Sequence, residues 1–290
     1  MEIGIVGSGR MARAMGGYLA DRGYPVTGLW SRDPHRAKQA AEAVGVPRAD
    51  SLAVLAARSQ LLVLAVSDDA IRPLAEELAR QASLSGKWVG HLSGSRSIGA
   101  LQAAADAGAQ VFSLHPLLTV AEGETGRREL ARAHFVLEAA PGTQEALGHW
   151  LTAAGNRLSW VEPSRKGLYH LGACLASNYV MVLYQLAEEA LTEAGLSRAD
   201  AAEALLPLMG ATLGNYRELG PLQGLTGPVV RGDAETVRSH LDSLEGARWQ
   251  GRRPLVQALG REALLMARQA GALSAEQAEA LEQILREDNQ

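Results

Sequence analysis

Ile3-Gly4-Ile5-Val6-Gly7-Ser8-Gly9-Arg10-Met11-Ala12 places a G-x-G-x-x-A element between an apolar run, Glu2–Val6, and a helical pattern, Met11–Arg22. Gly7 permits a tight turn, and Gly9 lets the backbone approach a pyrophosphate at a helix N-terminus. Ala12 allows the helix to pack closely on a sheet. The next strand candidate is Val26–Trp30. Strand, glycine turn, helix and strand thus fall within about 30 residues, the length of one dinucleotide-binding βαβ unit.

The alternation continues outward from this unit. Further strand candidates are Leu61–Ala65, Lys87–Leu92, Gln110–Ser113, Phe135–Glu138 and Leu158–Val161, separated by helical patterns such as Pro34–Val44 and Ile71–Gln81. The unbroken apolar character of Leu61–Ala65 predicts a central strand covered on both faces. After Pro163 the pattern changes. Arg165–Ala194 reads as one helix of about 30 residues without an internal proline, too long for a crossover. A loop is expected over Gly220–Gly232, which holds Pro221, Gly224, Gly227 and Pro228. The expected architecture is α/β: a Rossmann domain with a mostly parallel sheet over residues 1–162, then an all-α domain for substrate and dimer contacts over 163–290.

Hydrophobic residues make up 47% and charged residues 21%, enough for a real core. A net charge of −4 gives no electrostatic footprint for nucleic acid or an anionic membrane. There is no apolar run of membrane-spanning length, and the only cysteine, Cys174, leaves no intrachain disulfide framework. No Cys/His cluster has metal-site spacing, so no metal is expected. These features predict a soluble, cytoplasmic protein that binds small molecules.

The end of the second strand bears on which dinucleotide is bound. Sites for the unphosphorylated form usually place Asp or Glu there for the ribose 2′-hydroxyl. This chain has Ser31 and Arg32, with Arg36 one turn on, groups that can hydrogen-bond and neutralise a 2′-phosphate. NADP(H) is therefore expected, unless Asp33 faces the ribose. With Gly7, Ser8, Gly9, Arg10 and Met11, the expected cofactor site extends to Val66, Ser67 and Asp68 at the end of the third strand. Asp68 or Asp69 serves equally well as a helix cap. Two loops, His91–Ser95 and Ser113–Leu117, are expected to face the reactive end of the cleft, which makes Ser93, Gly94, Ser95 and His115 substrate-binding candidates.

Carbonyl reduction needs hydride and a proton for the developing alkoxide. Only Lys38, Lys87 and Lys166 are lysine among the 28 basic residues. Arginine cannot give up a proton at useful pH, whereas a desolvated lysine can. Lys166, at the start of the long helix, is the leading proton donor. His170 lies one turn beyond it, and Ser177 falls on the same stripe, within about 20°. Asn178 points to the side. His170 either orients Lys166, lowers its pKa, bonds substrate, or is a packed core histidine; Cys174 reads as packing. In the second domain, Arg231 within Thr226–Asp233 either binds a substrate carboxylate or pairs with Asp233.

These elements together, Gly7–Ala12, Ser31-Arg32, His91–Ser95, His115-Pro116-Leu117, Lys166 through Asn178 and Thr226–Asp233, resemble bacterial reductase-like proteins with a Rossmann-like domain and a DUF2520-type C-terminal domain. That group looks like a branch of the superfamily containing 6-phosphogluconate dehydrogenase, ketopantoate reductase and pyrroline-5-carboxylate reductase. The resemblance implies a lysine proton donor near the start of the long helix, a place Lys166 matches. Where an asparagine is usual one turn later, this chain has His170. The His115-Pro116 pair is also similar to prephenate dehydrogenases. Some members of the group act as an alternative ketopantoate reductase, so a ketopantoate-like 2-oxo acid held by Ser93, Ser95 or Arg231 is the implied substrate, and a homodimer the implied assembly. The competing readings are a pyrroline-5-carboxylate-like imine reductase, an F420-dependent NADP oxidoreductase and a non-catalytic NADP sensor.

Overall fold

The computed structural model describes the chain except residues 122, 154, 245, 247, 248, 250 and 287–290. The strand candidates form one seven-stranded sheet in the order β2-β1-β3-β4-β5-β6-β7. Its strands are β1 (Ile3–Val6), β2 (Val26–Trp30), β3 (Leu61–Leu64), β4 (Trp88–His91), β5 (Gln110–Leu117), β6 (His134–Ala139) and β7 (Arg157–Trp160). All neighbours pair in parallel except β5 and β6.

The two-residue period of a strand explains the central position of β3. Leu61 and Val63 enter one core with Ile3, Ile5, Phe112 and Phe135. Leu62 and Leu64 enter a second core with Leu55, Ile71, Leu74 and Val89. Helices therefore cover both faces, as the continuous apolar run demanded. Helix α1 (Arg10–Asp21) follows β1, α2 (Pro34–Val44) follows β2, and α3 (Leu52–Arg58) precedes β3. Next comes α4 (Asp68–Gln81). Because β1 has β2 on one side and β3 on the other, a crevice opens at their carboxyl ends, the usual ligand position in such sheets.

Three expectations are corrected. Ser113–Leu117 is strand rather than loop: β5 continues to Leu117 by pairing with β6, His115 opposite Val136 and Pro116 opposite Phe135. Pro116 is tolerated because β4 pairs with β5 only as far as Ser113, so no β4 ladder bond is needed at 116. The single long helix is two, α5 (Lys166–Ala176) and α6 (Asn178–Glu193). Ser177 leaves helical geometry at φ −130, ψ −74, and its hydroxyl donates to the Ala173 carbonyl at 2.8 Å. A serine hydroxyl competing for the i−4 carbonyl accounts for a break that proline counting missed. Finally, Gly220–Gly232 is largely helical: Arg198–Gly224 runs through Pro221 with a kink at Gly220, and Pro228–Arg231 forms one turn.

By packing, the chain divides into two compact units, Met1–Met181 and Val182–Gln290. Helix α5 thus goes with the sheet, past the 162/163 boundary drawn from the change in pattern. The second unit has its own core, built by Val237, Leu241, Leu264, Leu281, Ile284 and Leu285. Among the described residues, no helix is long and apolar enough to cross a membrane.

Candidate active site

The crevice at the ends of β1, β2 and β3 is a groove of about 400 Å³ lined by Gly7, Ser8, Gly9, Met11, Ser31, Arg32, Arg36, Val66 and Ser67. Gly7 has φ +131, and a Cβ there would lie 2.2 Å from the Ala65 carbonyl oxygen, so only glycine lets the first turn pass under the end of β3. A Cβ at Gly9 would meet nothing within 4 Å, and no side chain caps the first turn of α1. Its backbone N–H groups are thus the ones that can hold a pyrophosphate. Ser8 Oγ and Ser31 Oγ lie 3.0 Å apart across the groove floor. Asp33 is turned away: its carboxylate caps α2, accepting from His35 N at 2.9 Å and Arg36 N at 3.1 Å. Ser31, Arg32 and Arg36 remain on the wall, so the groove suits a 2′-phosphorylated dinucleotide. Arg10 is exposed at the start of α1, outside this lining.

Asp68 also lies outside the lining, and its role is local. Its carboxylate accepts from Ser95 Oγ at 2.5 Å. Burial pushes the carboxyl up, but hydrogen bonds from Ser95 and Ser93 and the charge of Arg96 outweigh it and hold it below the ordinary range. Ser93 Oγ in turn accepts from Ser95 N at 3.2 Å and Arg96 N at 3.0 Å. His91 is fully buried; its Nδ1 accepts from Ser93 N at 3.2 Å, leaving Nε2 to donate to the Ser97 carbonyl at 3.2 Å. Burial lowers its pKa to about 4, so the imidazole is neutral. Ser93 and Ser95 are therefore committed to holding their own loop. Gly94 is the point of closest approach: a Cβ there would lie 2.8 Å from His115 Cε1 and 2.9 Å from His170 Cδ2.

The antiparallel pairing of β5 with β6 sets Ser113 opposite Glu138. Phe112, Leu114, Phe135 and Leu137 enter the first core, so the pleat turns Ser113, His115 and Glu138 to the other face. There they meet α5. Lys166, 2% exposed, donates from Nζ to Ser113 Oγ at 2.6 Å and lies 3.2 Å from Glu138 Oε2. The carboxylate is fully buried, and its Oε1 accepts from Ile98 N at 2.9 Å. Oε2 has a charge partner but no aligned hydrogen-bond donor among the described residues. Desolvation lowers the Lys166 pKa, an effect that the Glu138 carboxylate beside it only partly offsets.

One turn on, Tyr169 Oη lies 2.5 Å from His115 Nδ1, with the rings edge to face. Burial pushes the tyrosine up to about 12. Burial, then the nearby charges of Lys166 and His170, push the imidazole down to about 4. Both groups are neutral near pH 7. Tyr169, His115, His170, Cys174, Ser177, Asn178 and the 117–119 segment line a second groove of about 730 Å³. Among the described residues no Lys, Arg, Asp or Glu is on this wall, and the buried Lys166 is not part of it.

The expected residues thus separate into a nucleotide groove, a loop lock (Asp68, Ser93, Ser95) and a polar cluster beside the second groove. Ser113, Glu138 and Tyr169 were missed. Glu138 had a signal, being a lone carboxylate in the apolar run Phe135-Val136-Leu137-Glu138-Ala139. Arg231 belongs to the second unit, on the single-turn helix, where its carbonyl accepts from Gln277 Nε2 at 3.3 Å. Asp233 is used as a cap for Ala234–Asp242, accepting from Thr236 N at 3.0 Å and Thr236 Oγ1 at 2.7 Å.

Comparison with known proteins matches two family models to successive parts of the chain. A model described as a Rossmann-like domain matches residues 1–116, and one described as a domain of unknown function (DUF2520) matches residues 133–263. No curated protein matches. Among solved structures, a protein from Thermotoga maritima is similar with a TM-score of 0.72 at 21% identity, covering 92% of this chain and 98% of that one. A pyrroline-5-carboxylate reductase from Coxiella burnetii gives 0.59 at 20% identity, covering 96% and 97%. A reductive aminase from Aspergillus terreus, solved with NADPH and ethyl-5-oxohexanoate, gives 0.59 at 18%, covering 98% and 92%. At these identities the likeness is one of fold. The matches thus cover the chain in two pieces, the Rossmann-like model over the first 116 residues and the DUF2520 model over residues 133–263.

Proposed function

We propose that this chain is an NADP(H)-dependent oxidoreductase that reduces a polarised C=O or C=N bond in a small molecule. The observation that carries this reading is the wall of the first groove. Ser31, Arg32 and Arg36 face it while Asp33 is held by the start of α2. Bound there, a reduced nicotinamide supplies hydride to the substrate carbon. A path of contacts leads from this groove to the second: Ser67 precedes Asp68, Asp68 holds Ser95, and Gly94 abuts His115 and His170.

Lys166 is the natural source of positive charge for a developing alkoxide or amide. In the 2-oxo-acid reading a ketopantoate-like acid is the substrate, and Lys166 acts on it through its charge. Imine reduction is the second reading. It is favoured by the second groove, whose wall among the described residues offers no Lys or Arg to a carboxylate, and by the likeness in fold to the Coxiella pyrroline-5-carboxylate reductase and the Aspergillus reductive aminase.

The helical unit supports a homodimer: Leu206, Leu208, Leu213, Tyr216 and Leu219 each leave more than half of their surface exposed, from 52% to 65%. A face this apolar is ordinarily covered, and sedimentation of the full chain at micromolar concentration is expected to give twice the monomer mass.

The test of function is NADPH oxidation at 340 nm with a panel of 2-oxo acids, including ketopantoate, and of ketones with added amine and cyclic imines. Turnover of one class with NADPH, and little with NADH, is the expected result. Tight NADPH binding without turnover by any member would replace the reductase with a sensor or with exchange to a deazaflavin.

A further inference from the structure

We propose that Tyr169 is the catalytic residue that hands the proton to the substrate heteroatom, and that His115 reloads it. The assignment rests on the reductase reading above and deepens it. Geometry selects Tyr169 over the buried lysine. The phenol lines the second groove, whereas Lys166 is 2% exposed and absent from its wall. A general acid must be within hydrogen-bond reach of the atom it protonates.

The two nitrogens of His115 face different ways. Nδ1 is bonded to Tyr169 Oη at 2.5 Å, while a Cβ at Gly94 would lie 2.9 Å from Nε2. One edge of the ring thus meets the tyrosine and the other the loop that Asp68 ties to the nucleotide groove. A neutral imidazole carries one proton, on either nitrogen, and so passes a proton through by changing tautomer.

As the substrate carbon accepts hydride, its heteroatom takes the Tyr169 Oη proton. The new heteroatom–hydrogen bond forms and the O–H bond breaks. The phenolate oxygen recovers a proton from His115 Nδ1 while Nε2 takes one from water entering the second groove, whose wall His115 lines, and exchange with that water resets the ring after product leaves. The imidazole stays neutral in its other tautomer, and the electron pair arrives with the hydride, so the protein moves protons only. The charged and titratable groups around the pair are Lys166, on the same helix and 6.0 Å from the Tyr169 ring, Asp68, whose charge acts on His115, and His170 and Cys174 on the groove wall.

The experiment compares the parent full-length protein with Tyr169→Phe and His115→Asn on whichever panel substrate turns over. NADPH affinity is read separately by nucleotide fluorescence, and folding by the thermal melt. Single-turnover NADPH oxidation is expected to fall about 10²–10⁴-fold in Y169F, the range for loss of a general acid, with NADPH affinity unchanged. The H115N rate should also fall, with an altered pH profile. In the parent, the same single turnover should be at least twofold slower in deuterium oxide. A Y169F rate within threefold of the parent, or no solvent isotope effect in the parent, overturns the assignment and leaves the reductase standing. Absence of any NADPH oxidation by the parent overturns the reductase reading, and the assignment with it.

Discussion

Ser113 and Glu138 are register partners across the one antiparallel pair of the sheet, and both reach the same Lys166 ammonium, at 2.6 and 3.2 Å. The carboxylate has a second duty, accepting from Ile98 N at the end of the Ser93–Ser97 loop. Glu138 is thereby the member of the cluster that joins the buried lysine to the loop packed on His115.

Removing that charge is expected to cost stability. Glu138→Gln keeps an acceptor for Ile98 N but leaves the ammonium buried without a counter-charge. Breaking one side of a buried pair typically costs about 3–5 kcal/mol. Urea unfolding at pH 7 should show a loss of that order, reduced to the extent that Lys166 gives up its proton. Glu138→Gln combined with Lys166→Met should recover most of it. A single variant as stable as the parent would mean that the pair contributes nothing.

Lys166 also sets the alkaline behaviour. Its folded pKa lies below the ordinary lysine value of 10.5 because burial disfavours the charge more than Glu138 restores it. Between the folded value and 10.5 the unfolded chain binds the extra proton, so this residue makes stability rise with pH across that window. The stability of the parent relative to Lys166→Met should therefore increase as pH rises toward 10.5, measured by urea midpoints. A flat difference would show an ordinary lysine.

The acid side is governed by His91 and His115, both lowered from 6.5 to about 4 by burial first. Their stabilising contribution is complete above pH 6.5 and is lost as pH falls through 4. Two of the seven histidines should stay neutral in an NMR titration from pH 7.5 to 5. Their disappearance on His91→Gln and His115→Gln would assign them, and ordinary titration of all seven near 6.5 would contradict the packing described.

Cofactor choice is expected to follow Arg32 and Arg36. Replacing both with alanine removes charge-assisted hydrogen bonds worth about 1.5–3 kcal/mol each to a bound phosphate. NADPH affinity should drop at least tenfold, while NADH affinity changes less than twofold. Equal losses for the two nucleotides, followed by fluorescence, would place the arginines outside the 2′-phosphate site.

Gly94 offers a steric test. Alanine there brings a methyl within 2.8–2.9 Å of two imidazoles, a clash that overpacking data put at about 1–3 kcal/mol. Gly94→Ala should lower the melting temperature and separate His115 from Tyr169, whereas an unchanged melt would show that the loop yields freely.

The sheet was legible because its signals are local. Apolar runs such as Leu61–Ala65, the glycine turn at Gly7–Ala12 and the helical patterns between strands all act over a few residues, and the seven strands arose where those signals lay. The nucleotide groove was legible for the same reason, since Gly7, Ser8, Gly9, Ser31, Arg32 and Ser67 all sit at strand ends. Local signals misled where a competing bond decided the outcome. Ser177 broke the long helix through its own hydroxyl, and Pro116 was carried in a strand because one side of β5 is open there.

The sequence by itself determined the order of elements, the dinucleotide turn and Lys166 as the cation to watch. Which groups that lysine meets was decided only by tertiary structure. The antiparallel register of β5 and β6 pairs Ser113 with Glu138, and the pleat turns them with His115 toward α5, where Lys166 and Tyr169 reach them. Periodicity fixes which face of an element is apolar, but register between distant segments depends on the packing of the whole sheet. That packing also decided that Lys166 is buried and not part of the groove wall, and that Tyr169 lines it.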